Sequence, residues 1–227
     1  GRDVELGEVS NIAVFAEKYG YYQEVLRVRV GLDNGEDGLF GLVVSHSEGE
    51  RNRLTEQEFY NMKRLHARQA KYTPEPFALT QVILSNGRTM VMFGVEWLDD
   101  FEELHVNKRG DGFQIVVWRR KGYRFSEVGM KEDPLDPVTS DLVLEQIAKI
   151  LTIYYDEETQ QAIAPILVNA GDFVFRRDES GNVEVRLVSA RGFEEAVDIP
   201  TFMSRLLELE AIDTFARPGG IPLRIMS

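Results

Sequence analysis

One stretch of helical spacing, set between two groups of alternating strands, does most to limit what this chain can fold into. Phe59, Met62, Leu65 and His66 recur at helical spacing. Thr55-Glu56-Gln57-Glu58 opens that stretch as a capping box: Thr55 can cover the amide of Glu58, and Glu58 can reach back to Thr55. Pro74 and Pro76 exclude helix beyond Tyr72. A helix is therefore expected over Thr55–Lys71. Before it, Tyr22–Val30 sets Leu26, Val28 and Val30 on one face and Arg27 and Arg29 on the other. Asn11–Ala16 and Leu39–Ser45 add two apolar runs, and Asp33-Asn34-Gly35 supplies a turn, so a meander is expected. After it, Phe77–Leu84 and Thr89–Glu96 flank Asn86-Gly87, a strong hairpin signal.

The second half is more broken. Asn107–Gly112 reads as a polar connector, and Phe113–Arg119 with Tyr123–Val128 as a hairpin closed near Lys121-Gly122. Met130–Pro137 is charged, carries two prolines and is the expected boundary. A helix is expected from Pro137 to about Tyr155, with Leu144, Ile147, Leu151 and Tyr154 along one face. Asp172–Arg176 and Val183–Val188 flank Glu179-Ser180-Gly181-Asn182 as a further hairpin, and Asp198 caps a last helix with Pro200 in its first turn. The fold class is thus α+β. Residues 1–130 are expected to form an antiparallel sheet lobe with helix 55–71. Residues 131–227 are expected to form a mainly helical lobe with hairpin 172–188.

Charge narrows the partners. With 38 acidic against 26 basic residues the net charge is −12, so phosphate backbones are repelled at long range. Duplex nucleic acid and membranes are not expected partners. The absence of cysteine rules out disulfides and thiolate chemistry and fits a reducing, cytoplasmic setting. No run of ~18 apolar residues is present, so no spanning helix is expected. His46, His66 and His105 lack ligand spacing, and no phosphate-cradling glycine loop occurs, so neither metal nor cofactor is expected. Asp99, Asp100, Glu102 and Glu103 read as a solvated acidic rim. Against this background Arg119-Arg120-Lys121 and Arg124, interleaved with Trp118, Tyr123 and Phe125, stand out. That patch is the expected contact for a small anionic ligand or an acidic protein.

From Leu39 to Leu104 the order of strand, helix, double-proline exit, hairpin and Glu96-Trp97-Leu98-Asp99 resembles the small lobe and hinge of the kinase-like fold, nearest the aminoglycoside phosphotransferase family. The resemblance implies a hinge at Glu96 and Trp97 that meets a ligand, a helix glutamate at Glu58, and a catalytic base at Asp172 in Asn169-Ala170-Gly171-Asp172-Phe173. It also implies a lysine on the strand before the helix, which Phe40–His46 lacks. An asparagine is implied five residues after the base, where Arg177 stands, and a metal-binding acid after the next strand, where Ser189 or Ala190 stands. A non-catalytic kinase-like binding or regulatory module is therefore expected. A divergent small-molecule phosphotransferase using Asp172 and an unrelated α+β interaction domain are the alternatives.

Overall fold

The structure is a computed structural model of the 227-residue chain, and it describes residues 6–20, 22–46, 49–109, 112–120, 130–163 and 171–206. The chain divides into two compact units: Gly1–Ala70 with Pro74–Asp99, and Lys71–Thr73 with Asp100–Ser227.

The first unit contains β1 (Val9–Tyr19), β2 (Gln23–Leu32), β3 (Asp37–Ser45), helix α1 (Glu50–Arg68), β4 (Pro76–Ile83) and β5 (Thr89–Glu96). These strands form one antiparallel sheet in the order β1-β2-β3-β5-β4. The meander and the Asn86-Gly87 hairpin are as the sequence predicts. Gly87 takes φ 80 in the turn, a conformation that disfavours any side chain. Strand alternation brings Val25, Val43 and Phe93 into one row. Phe59 of α1 packs on that row, its ring centroid 5.6 Å from that of Phe93.

Helix α1 corrects the capping-box expectation. It begins at Glu50 rather than Thr55 and ends at Arg68, followed by a short 3-10 turn over Ala70–Tyr72. Its N-cap is Gly49, with no side-chain cap bond. The first turn is fixed by tertiary contacts instead. Asn52 donates to the carbonyl of Thr89 at 2.9 Å, accepts from the amide of Val91 at 3.2 Å and meets the hydroxyl of Ser45. Thr55 and Glu58 lie within the helix and are buried. Both grip Gln23 of β2: Thr55 Oγ1 donates to Gln23 Oε1 at 3.3 Å, and Gln23 Nε2 donates to Glu58 Oε2 at 2.8 Å. Thr55→Val keeps the branched shape and removes the hydroxyl, so it is expected to cost about 0.5–1.5 kcal/mol. A urea midpoint unchanged from the parent would show that the hydroxyl contributes nothing through Gln23.

The second unit departs further from expectation. It holds β6 (Glu102–Arg109), β7 (Gly112–Arg120), β8 (Met130–Pro134), α2 (Pro137–Tyr154), β9 (Ala162–Ile163), β10 (Phe173–Arg177), β11 (Val183–Leu187) and β12 (Phe193–Glu194). Residues 199–206 form α3. Rather than a mainly helical lobe with one hairpin, it is built on a five-stranded antiparallel sheet in the order β11-β10-β6-β7-β8, with β9 and β12 paired separately. The polar connector Asn107–Gly112 is in fact the β6–β7 junction, where Asn107 pairs with Gln114 and Arg109 with Gly112. Strand β7 finds its second partner in β8, not in Tyr123–Val128, which lies outside the described residues. Met130–Pro134 is paired to β7, and it lies within the second unit, which takes in Lys71–Thr73 and Asp100–Ser227.

Helix α2, by contrast, follows the sequence closely. Asp136 caps it, accepting from the amide of Thr139 at 3.0 Å and its hydroxyl at 2.6 Å, with Pro137 in the first turn. Val143, Leu144, Ile147, Ile150, Leu151 and Tyr154 are its buried side. Gln146 accepts from the amide of Val185 at 3.0 Å and donates to the carbonyl of Val183, which satisfies backbone groups of β11 at the edge of the sheet. The hairpin over 172–188 forms as predicted, and Asp198 caps α3 by accepting from the amide of Thr201 at 2.9 Å. Among the described residues no helix is long and apolar enough to cross a membrane.

Candidate functional site

In the second unit, register decides which side chains share a face. Glu103 of β6 stands opposite Val174 of β10 and Trp118 of β7. Alternation then puts Asp172, Glu103, His105 and Trp118 on one face of the sheet. Leu104, Ile115, Val117, Phe173 and Phe175 turn the other way and are buried as core. The polar face is thereby the reverse side of a well-packed layer, which gives its side chains a rigid base.

Asp172 is the most constrained group on that face. It is 3% exposed, and Arg191 holds both its oxygens. Nη1 donates to Oδ2 at 2.8 Å and Nη2 lies 2.6 Å from Oδ1. Its carbonyl accepts from the amide of Val188 at 2.8 Å, closing the base of the hairpin. Gly171, just before it, takes φ 69. A Cβ there would sit 2.7 Å from Cγ of Glu103 and nearer still to its carboxylate, so the missing side chain is what leaves room for Glu103. Glu103 Oε1 in turn lies 3.0 Å from Nε2 of His105, which is buried and stacked on Trp118 with ring centroids 3.6 Å apart.

Charges around this core are locally matched. Arg177, at the position where a metal-binding asparagine is implied, donates to Thr139 Oγ1 at 3.2 Å and reaches Asp136 at 3.5 Å. The hydroxyl of Thr139, then its amide, and Arg177 more weakly hold the Asp136 carboxyl below its ordinary value. Glu184 lies between Arg176 and Arg186, 2.6 Å from each. Burial pushes its carboxyl up, but hydrogen bonds from Arg186 and Arg176 outweigh that and leave it lowered. Both guanidiniums also lie over the ring of Phe101, at 4.9 and 5.9 Å. Arg191 thus occupies one side of each Asp172 oxygen.

Glu96 and Trp97 belong to the first unit and Asp172 to the second. Glu96 Oε2 accepts from the amide of Glu75 at 3.2 Å, and its own amide donates to the Glu75 carbonyl at 2.8 Å. Trp97 is half-buried beside Gly41, and the Arg27 guanidinium lies over its ring at 5.7 Å. Arg27 is itself 2.8 Å from Glu17 and over Phe15 at 4.9 Å. Of the basic patch, Arg119 and Arg120 are placed in β7 by their backbone, while Lys121 and Arg124 lie outside the described residues. Glu103, read as part of an acidic rim, instead faces His105 and Gly171 within the sheet. Arg191 was not among the expected site residues. Its signal was its place just past the missing metal-binding acid. Among the described residues, no three histidines or carboxylates converge as a metal would require.

No protein-family model and no curated protein matches the chain. Among solved structures 33 chains match. One, described as WaaP in complex with acyl carrier protein, has a TM-score of 0.44 and 9% identity over 88% of this chain and 68% of its own.

Proposed function

We propose that this chain is a kinase-like binding or regulatory module that does not transfer phosphate. The kinase-like part is supported by the first unit's arrangement. A three-strand meander, one helix and a hairpin follow in turn, with β5 inserted between β3 and β4 and the chain leaving through Glu96-Trp97-Leu98. The non-catalytic part is carried by one observation, the engagement of both Asp172 oxygens by Arg191. Other positions agree with it. Glu58 is paired to Gln23 of β2 and β3 carries no lysine, and Arg177 is committed to Thr139 and Asp136. Phosphoryl transfer rests almost wholly on positioning and charge stabilisation, and loss of a single stabilising donor costs roughly 10²–10³-fold in rate. The run Arg119, Arg120, Lys121 and Arg124 is the proposed contact for an anionic ligand or acidic partner.

The expected result with magnesium and ATP is no phosphate release above that of Asp172→Asn. Release by the parent that disappears in Asp172→Asn would overturn this reading in favour of a divergent phosphotransferase.

A further inference from the structure

We propose that the buried Asp172 carboxylate is a guanidinium socket, that Arg191 is its resident occupant, and that an arginine side chain of a basic peptide can take its place. This rests on the reading above that Asp172 is not a base.

The two partners differ in how they sit. The Asp172 side chain is 4% exposed and fixed to the sheet, whereas Arg191 is 28% exposed and reaches in from residues 188–192, which have no regular secondary structure. Among the described residues, the Arg191 side chain bonds to Asp172. Both outer nitrogens meet the two carboxylate oxygens, a two-pronged match that a planar guanidinium fulfils and a lysine ammonium does not. Glu103, on the same face of the sheet, packs against Gly171, the residue before Asp172. The net charge of −12 supplies long-range attraction for a basic partner.

An internal occupant competes with an external one, because the apparent affinity is reduced by the fraction of chains whose socket is open. That separates a socket from a purely structural ion pair. The experiment titrates a short arginine-rich peptide, and a lysine-rich peptide of equal charge, into the parent, Arg191→Ala and the milder Arg191→Gln. The expected result is that both variants bind the arginine peptide about tenfold or more tightly than the parent does. The lysine peptide should gain much less. Adding Asp172→Asn to either variant should abolish the gain. Equal binding by parent and variants, or equal gains for the two peptides, would overturn the proposal. Methylguanidinium alone is the second probe. A melting temperature that rises saturably in Arg191→Gln, and not in its Asp172→Asn double variant, assigns binding to the socket rather than to the rest of the peptide. No such rise would overturn the proposal. These outcomes concern binding alone, so they can fail while the phosphate-release experiment succeeds, and the reverse.

Discussion

Gly171→Ala is expected to destabilise the chain by about 2–5 kcal/mol, from a left-handed backbone penalty plus overpacking. Gly171 has φ 69, where an L side chain is strained, and its added methyl would run into the Glu103 carboxylate. Glu103 has little room to retreat, since it faces His105 at 3.0 Å and that ring is stacked under Trp118. The two contributions can be separated. In a Glu103→Ala background the clash is gone and only the backbone share, about 1–2 kcal/mol, should remain. Urea unfolding of the two single variants and the double variant, at constant slope, gives the answer. Equal costs in both backgrounds would mean that Glu103 moves aside freely and does not fix the floor of the site.

The first unit was legible because its signals are local. Asn86-Gly87 and the alternation of Leu26, Val28 and Val30 act over a few residues, and so does the double proline that bars helix beyond Tyr72. The start of α1 misled for a physical reason. Thr55 and Glu58 have the spacing of a capping box, but the same spacing lets both reach Gln23, a residue distant in sequence. Asn52 then anchors the earlier turn to β5, which no local pattern announces. Tertiary contacts overrode a cap.

The second unit was harder to read because β6 does not look like a strand. Its sequence, Glu-Glu-Leu-His-Val-Asn-Lys-Arg, holds two apolar residues, since one face carries Glu103 and His105. Its strand character comes from pairing with β7 and β10. Asp172 was identifiable as a notable position from Gly-Asp at a hairpin base. Its partner was not, because an ion pair between residues 172 and 191 depends on how β11 returns alongside β10.

The same ion pair should respond unequally to removal of its two ends. Arg191→Ala leaves a buried carboxylate without its cation, a loss expected to cost about 3 kcal/mol, at the low end of the range for broken buried pairs because Arg191 is partly exposed. Asp172→Asn deletes the same contact yet leaves an arginine that can turn its head into water while its stem stays packed. Its cost is expected nearer 1 kcal/mol, the scale of a lost hydrogen bond. The double variant should then be more stable than Arg191→Ala alone, because the buried charge has gone. Chemical denaturation of all three, at one pH and salt concentration, measures the asymmetry directly. If Asp172→Asn proved the costlier change, the buried carboxylate would have to be stabilised chiefly by its surroundings in the sheet. Arg191 would then be a surface charge at rest on it rather than the group that makes its burial tolerable.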